Sequence, residues 1–156
     1  MILIPVLVPI ILTIKERIMN QEHKQLLLKD LCARLSYGVN LHIEFYDLQG
    51  DGKLASRDVK LTAGNIGYCF DNSHWVDIKP YLRPMSSMTE EERRYLLEEL
   101  GFDEDLENVE LNDFGSYVYR NVNVLPLFDW LNAHHFDYRG LIKKGLALES
   151  PEGMYA

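Results

Sequence analysis

The spacing of apolar residues changes along the chain, and each change predicts a different element. From Asn20, whose side-chain oxygen can accept a free N–H of a first helical turn, to about Leu35, the residues Leu28, Leu31, Cys32 and Leu35 recur at helical spacing. Lys24, Lys29 and Arg34 fall on the wet side of that helix, and Tyr37-Gly38 stops it. The period then drops to two. Val39, Leu41, Ile43 and Phe45 alternate with Asn40, His42, Glu44 and Tyr46, the pattern of a half-buried strand. Gly50-Asp51-Gly52 supplies residues able to take the positive φ of a tight turn. Further strands are expected at residues 53–62, 66–70 and 75–78, separated by Gly64-Asn65 and Asp71-Asn72-Ser73. Such short strands joined by tight turns predict an antiparallel meander, curled into a small SH3-like barrel or left as a curved sheet.

Beyond the strands the period returns to helical. Pro80 and Pro84 bracket an extended segment. Thr89 to Glu92 reads as a capping box, with Thr89 capping the first turn and Glu92 reaching back. That helix should run to Leu100, with Gly101 as its stop, and lead into an acidic loop with a short strand at residues 117–120. The densest stretch is residues 123–148. Asn123 is a good cap, Pro126 falls in a first turn where its missing N–H costs nothing, and Val124, Leu127, Phe128, Leu131 and His135 share one helix face. His134 and His135 close this helix at the negative end of its dipole. A second short helix is expected at residues 138–144, stopped by Gly145, with an extended, exposed tail at 149–156. The expected fold class is α+β: a barrel or sheet at about 36–84, an N-terminal helix, and a helical C-terminal part at about 85–148.

The length suits one domain, residues 19–156, and the 47% hydrophobic content allows a real core. The apolar leader of residues 1–18 is expected to lie outside it, with translation starting at Met19. Its first fourteen residues are too few to span a bilayer, and Lys15 and Arg17 follow the apolar run where a signal peptide would precede it. A membrane anchor is the alternative for that leader. Charge is uneven: residues 90–113 hold eleven acidic side chains against Arg93 and Arg94, while the whole chain is −8. No basic block exists, which argues against nucleic-acid binding. Cys32 and Cys69 read as small buried thiols of a reducing, cytoplasmic compartment, with a disulfide between them left open.

Two readings compete for His134, His135 and Asp137: ligands of a metal-dependent hydrolase, or one core histidine and one solvated at the helix end. Adjacent helical residues point about 100° apart, and no H-E-x-x-H spacing is present, so the packing reading is preferred. Residues 47–58, DLQGDGKLASRD, resemble a calcium loop, with Asp47, Asp51 and Gly52 in place. Gln49, a terminal Asp58 and strand-like flanks favour a plain hairpin turn. No nucleophile elbow, Walker-type or dinucleotide-binding glycine pattern occurs, and no cofactor is implied. Aromatic residues are the other candidate surface, because they dominate binding hot spots. Tyr46, Trp75, Tyr81, Trp130, Tyr138 and Tyr155 are its expected aromatic members, and His134, His135 and Arg139 join them as binding candidates. The competing reading has both tryptophans plugging the contact between barrel and C-terminal helix.

The blocks LLLKDLCARLSYGV, DIKPYLRPMSSMTEEE, DWLNAHHFDYRGLI and KGLALESPEGMY resemble a family of short, uncharacterised proteins frequent in gut anaerobic bacteria and their phages. The likeness spans roughly residues 25–155; Ser36 stands where that family has proline. It implies a mobile-element setting and brings no catalytic residue. The expectation is a non-enzymatic adaptor or regulator that binds another protein.

Overall fold

The computed structural model describes residues 21–70, 75–100 and 124–156, without the side chains of residues 75, 76 and 124. The leader, the caps at Asn20 and Asn123, the turn at 71–74 and the acidic loop with its strand at 117–120 lie outside the described residues.

Helix α1 (Gln21–Arg34) forms, but it buries a different stripe from the expected one. Leu27, Asp30, Leu31 and Arg34 are buried, whereas Leu28 is 40% exposed and Cys32 is exposed. Counting apolar residues places Arg34 in water and Cys32 in the core; both placements are corrected. The reason is electrostatic: Asp30 and Arg34 are four apart on one face and neutralise each other, so that face can leave water. A 3-10 turn at Leu35–Tyr37 and a left-handed Gly38, φ 65°, end the helix, and the Gly38 N–H donates to the Arg34 carbonyl at 3.2 Å.

Strand β1 (Asn40–Tyr46) forms a hairpin with β2 (Leu54–Lys60), pairing His42 with Asp58 and Ile43 with Arg57. Strand β3 (Trp75–Leu82) pairs antiparallel with the other side of β1, and the two-residue β4 (Leu148–Glu149) adds in parallel to β3. The order is β2-β1-β3-β4, an open sheet in place of the closed SH3-like barrel, in keeping with the sheet alternative, and mixed in place of the expected antiparallel meander, because β4 is parallel. The missing strand explains the opening. Residues 66–70 alternate in sequence, yet Ile66–Cys69 is a 3-10 turn. Asn65 diverts the chain: its side chain accepts from the Thr62 N–H and donates to the Lys60 carbonyl, bonds that compete with a ladder. The turn sets Ile66, Cys69 and Phe70 against the core. Pro80 sits inside β3, opposite Leu41, where β4 has not yet begun, so no rung is lost to it.

The capping box is realised. The Glu92 N–H donates to Thr89 Oγ1 at 3.2 Å, the Thr89 N–H donates to Glu92 Oε2 at 2.8 Å, and helix α2 (Glu90–Leu100) follows. Helix α3 (Val124–Ala133) ends before both histidines. Residues 138–144 make turns in place of the expected helix, with Gly140 and Gly145 at φ 68° and 70°. Nor is the tail wholly exposed: Ser150, Met154 and Tyr155 are half-buried, the Ser150 N–H donates to the Leu82 carbonyl, and Tyr155 docks on the sheet.

Two apolar clusters result. One joins Leu27 and Leu31 to Leu41, Ile43, Leu82, Leu141 and Leu146 between α1, the sheet and the C-terminal turns. The other joins Leu96, Leu127, Leu131 and Phe136 around α2 and α3. The rotated α1 stripe separates two expected outcomes under urea unfolding. Leu31→Ala should cost about 2–5 kcal/mol, as a fully buried leucine does, whereas Leu28→Ala should stay within about 1 kcal/mol.

Candidate functional site

The expected site residues do not gather in one place; the structure distributes them over four environments. The deepest is polar. Asp30, at 0% exposure, accepts from Arg34 Nε at 2.8 Å and from Arg139 Nη1 at 3.2 Å. Arg34, equally buried, donates through Nη2 to Asp30 and, at 2.7 Å, to the Phe136 carbonyl. Arg139 also donates to the Tyr138 hydroxyl, which in turn donates to Asn132 Oδ1 at 3.0 Å. Both guanidinium groups lie over the Tyr138 ring. Tyr138 and Arg139 therefore belong to an internal network, and Tyr138 is removed from the expected exposed aromatic surface. Burial is the main reason its hydroxyl pKa is raised.

His134, His135 and Asp137 each face a different partner. The His134 ring stacks on Trp130 with centroids 4.0 Å apart, and its Nδ1 lies 2.8 Å from the Trp130 carbonyl. His135, at φ 60° just past the helix, is buried and stacks on Tyr155 at 3.9 Å. Asp137 accepts the N–H groups of Leu141 and Ile142 at 2.8 and 2.9 Å, capping the turn that follows. Burial raises the Asp137 pKa, against those two hydrogen bonds. Among the described residues, no group of three or more His, Cys, Asp or Glu side chains is placed to hold a metal ion. Asp47 and Asp51 bend a β-hairpin: Asp47 Oδ1 accepts the Gly50 N–H, and Asp51 Oδ1 accepts the Lys53 N–H.

Burial, followed by the charges of Arg34, His134, Arg83 and Lys60, lowers the His135 pKa from 6.5 to about 4. The imidazole is thus held neutral inside. Its Nδ1 and Arg34 Nη1 have no hydrogen-bond partner among the described residues.

A third environment lies on the solvent face of the sheet. His42 Nδ1 is 2.8 Å from Asp58 Oδ1, across the β1–β2 register, and the Tyr81 hydroxyl donates to the same oxygen at 3.2 Å. Burial and the Asp58 carboxylate raise the Tyr81 pKa. The pair orients an imidazole at a half-exposed position, but no serine, threonine or cysteine is bonded to it among the described residues.

The fourth environment is aromatic. Trp130 lies near-parallel to Phe136 at 5.7 Å, to His134, and to Tyr95 of α2 at 5.8 Å. The Arg83 guanidinium covers Phe136 at 4.1 Å and is held by both oxygens of Glu92, at 2.8 and 2.9 Å. Against burial, which raises it, this pairing and the Thr89 N–H keep the Glu92 carboxyl below its ordinary range. The stack runs from the core outward and ends at Tyr95, 44% exposed. Trp130 therefore packs between α2 and α3, and the expected plug between sheet and C-terminal helix is corrected in its case. The side chain of Trp75 lies outside the described residues. Sequence reasoning missed Tyr95; the available signal was its place directly before Leu96, on the flank of the apolar stripe.

Two outcomes follow. Asp30→Ala leaves Arg34 buried with its main counter-charge gone, and should cost about 3–5 kcal/mol in urea unfolding. The second concerns pH. The unfolded chain takes up a proton near pH 6.5 that folded His135 refuses until about 4, so stability falls as pH drops through that window. The loss approaches about 2–3 kcal/mol. His135→Gln should flatten the acid limb of a stability-versus-pH curve between pH 7 and pH 4. Compared with family models, curated proteins and solved structures, the chain has no match.

Proposed function

We propose that the protein is a non-enzymatic adaptor or regulator that binds another protein, and that it does so through the face formed by Tyr95, Trp130 and His134. One observation carries this reading: the ring stack reaches the surface at Tyr95, where a large aromatic side chain stays 44% exposed on a well-capped helix. Tyrosine and tryptophan supply much contact area for little lost side-chain freedom, which is why they anchor interfaces. Trp130 stacks on the Tyr95 ring and is itself backed by Phe136, so a partner meets a pre-ordered surface. The resemblance to proteins of gut bacteria and their phages supports a cytoplasmic, mobile-element setting. Among the described residues no helix is long and apolar enough to cross a membrane.

The test is affinity purification of the tagged full-length protein from its native host, side by side with Tyr95→Ala and Tyr95→Phe. A partner that remains with Tyr95→Phe but falls at least tenfold with Tyr95→Ala supports the reading. Equal recovery with both variants removes this face as the docking site.

A further inference from the structure

We infer that the occupant of the Tyr95 face is a basic segment of another protein, in which lysine or arginine side chains flank an apolar one. This rests on the adaptor reading and adds the chemistry of its partner. On α2, Glu91, Glu98 and Glu99 lie at positions i−4, i+3 and i+4 from Tyr95, the spacings that share one helix surface. All three glutamates are exposed. Glu92, at i−3 from Tyr95, is already committed to Arg83. Trp130, which stacks on Tyr95, is itself backed by Phe136 and His134, so the exposed ring is an apolar platform bordered by carboxylates.

That combination selects among partners. A cation placed over an aromatic face is attracted by the ring, and nearby carboxylates add to the attraction. An acidic partner segment would instead meet three like charges and be repelled. The exposed carboxylates also raise the encounter rate of a basic segment and make binding sensitive to salt. Charge complementarity thus gives both the sign of the partner and the way its affinity responds to ionic strength.

The test uses the full-length protein and two fluorescein-labelled amphipathic peptides, one of leucine and lysine, the other identical but with glutamate for lysine. Binding is read by anisotropy at low and high salt. The expected result is binding of the lysine peptide, weakened at least tenfold by high salt and at least fivefold in a Glu91→Gln, Glu98→Gln, Glu99→Gln variant. Tyr95→Ala should also weaken it at least fivefold, and Tyr95→Phe should restore it. A control variant, Glu44→Gln with Asp77→Gln on the sheet, should leave it unchanged. Circular dichroism confirms that each variant is folded. Absence of lysine-peptide binding, equal binding of both peptides, or loss of equal size in the sheet control overturns the inference. If the peptide result is negative while a Tyr95-dependent host partner is recovered, only the charge assignment falls and the adaptor reading stands.

Discussion

The fold depends on one buried ion pair that reaches far along the chain. Taking Asp30 and Arg34 out of water costs several kcal/mol per ion unless each finds partners with good geometry. Their own pairing, four residues apart on α1, supplies part of that. The rest comes from 102 and 109 positions away, from the Phe136 carbonyl and from Arg139. Helix α1 can therefore bury this face only where residues 136–139 already stand. Phe136 is in turn covered by Arg83, whose backbone accepts from Asp137 and donates to His135 at the end of β3. Phe136 thus joins the end of β3, helix α1, the cluster around α2 and α3, and the base of the aromatic stack.

Elements governed by local chemistry were legible in the sequence. The Thr89–Glu92 box, the Gly38 stop, the β1–β2 hairpin and the Leu127, Phe128 and Leu131 part of the α3 face each depend on residues a few positions apart, and each formed where the pattern placed it. The exceptions share a different cause. Arg34 reads as a wet residue because its burial is made possible by groups over a hundred positions on. Residues 66–70 read as a strand because alternation over five positions does not register that Asn65 bonds its own neighbourhood. Strand β4, two residues long, has no period to detect; only Leu82 and Tyr81, supplied by β3, make Leu148 and Glu149 a strand.

The candidate site divides in the same way. The prominence of Trp130 and His134 followed from composition alone, but the ring that brings their stack to the surface belongs to α2, and nothing near residue 130 names it. Tyr138 and Arg139 sit in the same rich stretch as Trp130, yet both bond into the buried polar network beyond the left-handed His135. Adjacent positions thus serve opposite ends: Trp130 and His134 lead outward, Tyr138 and Arg139 hold the interior together.

The Tyr155 hydroxyl has a consequence for how the chain reaches this state. It accepts from the Asn40 N–H and donates to the Tyr81 carbonyl, standing in for the next rung between β1 and β3. Its partner Asn40 lies 115 positions upstream. With the contacts of Arg34, this ties together the ends of large loops, whose closure must precede any gain from them. On the ribosome, at about 5–20 residues per second, α1 waits roughly 5–20 s for the carbonyl that completes its charge pair. Throughout that interval Arg34 lacks the carbonyl that it binds in the folded chain, so the charged face of the first helix is the last part of it to be completed.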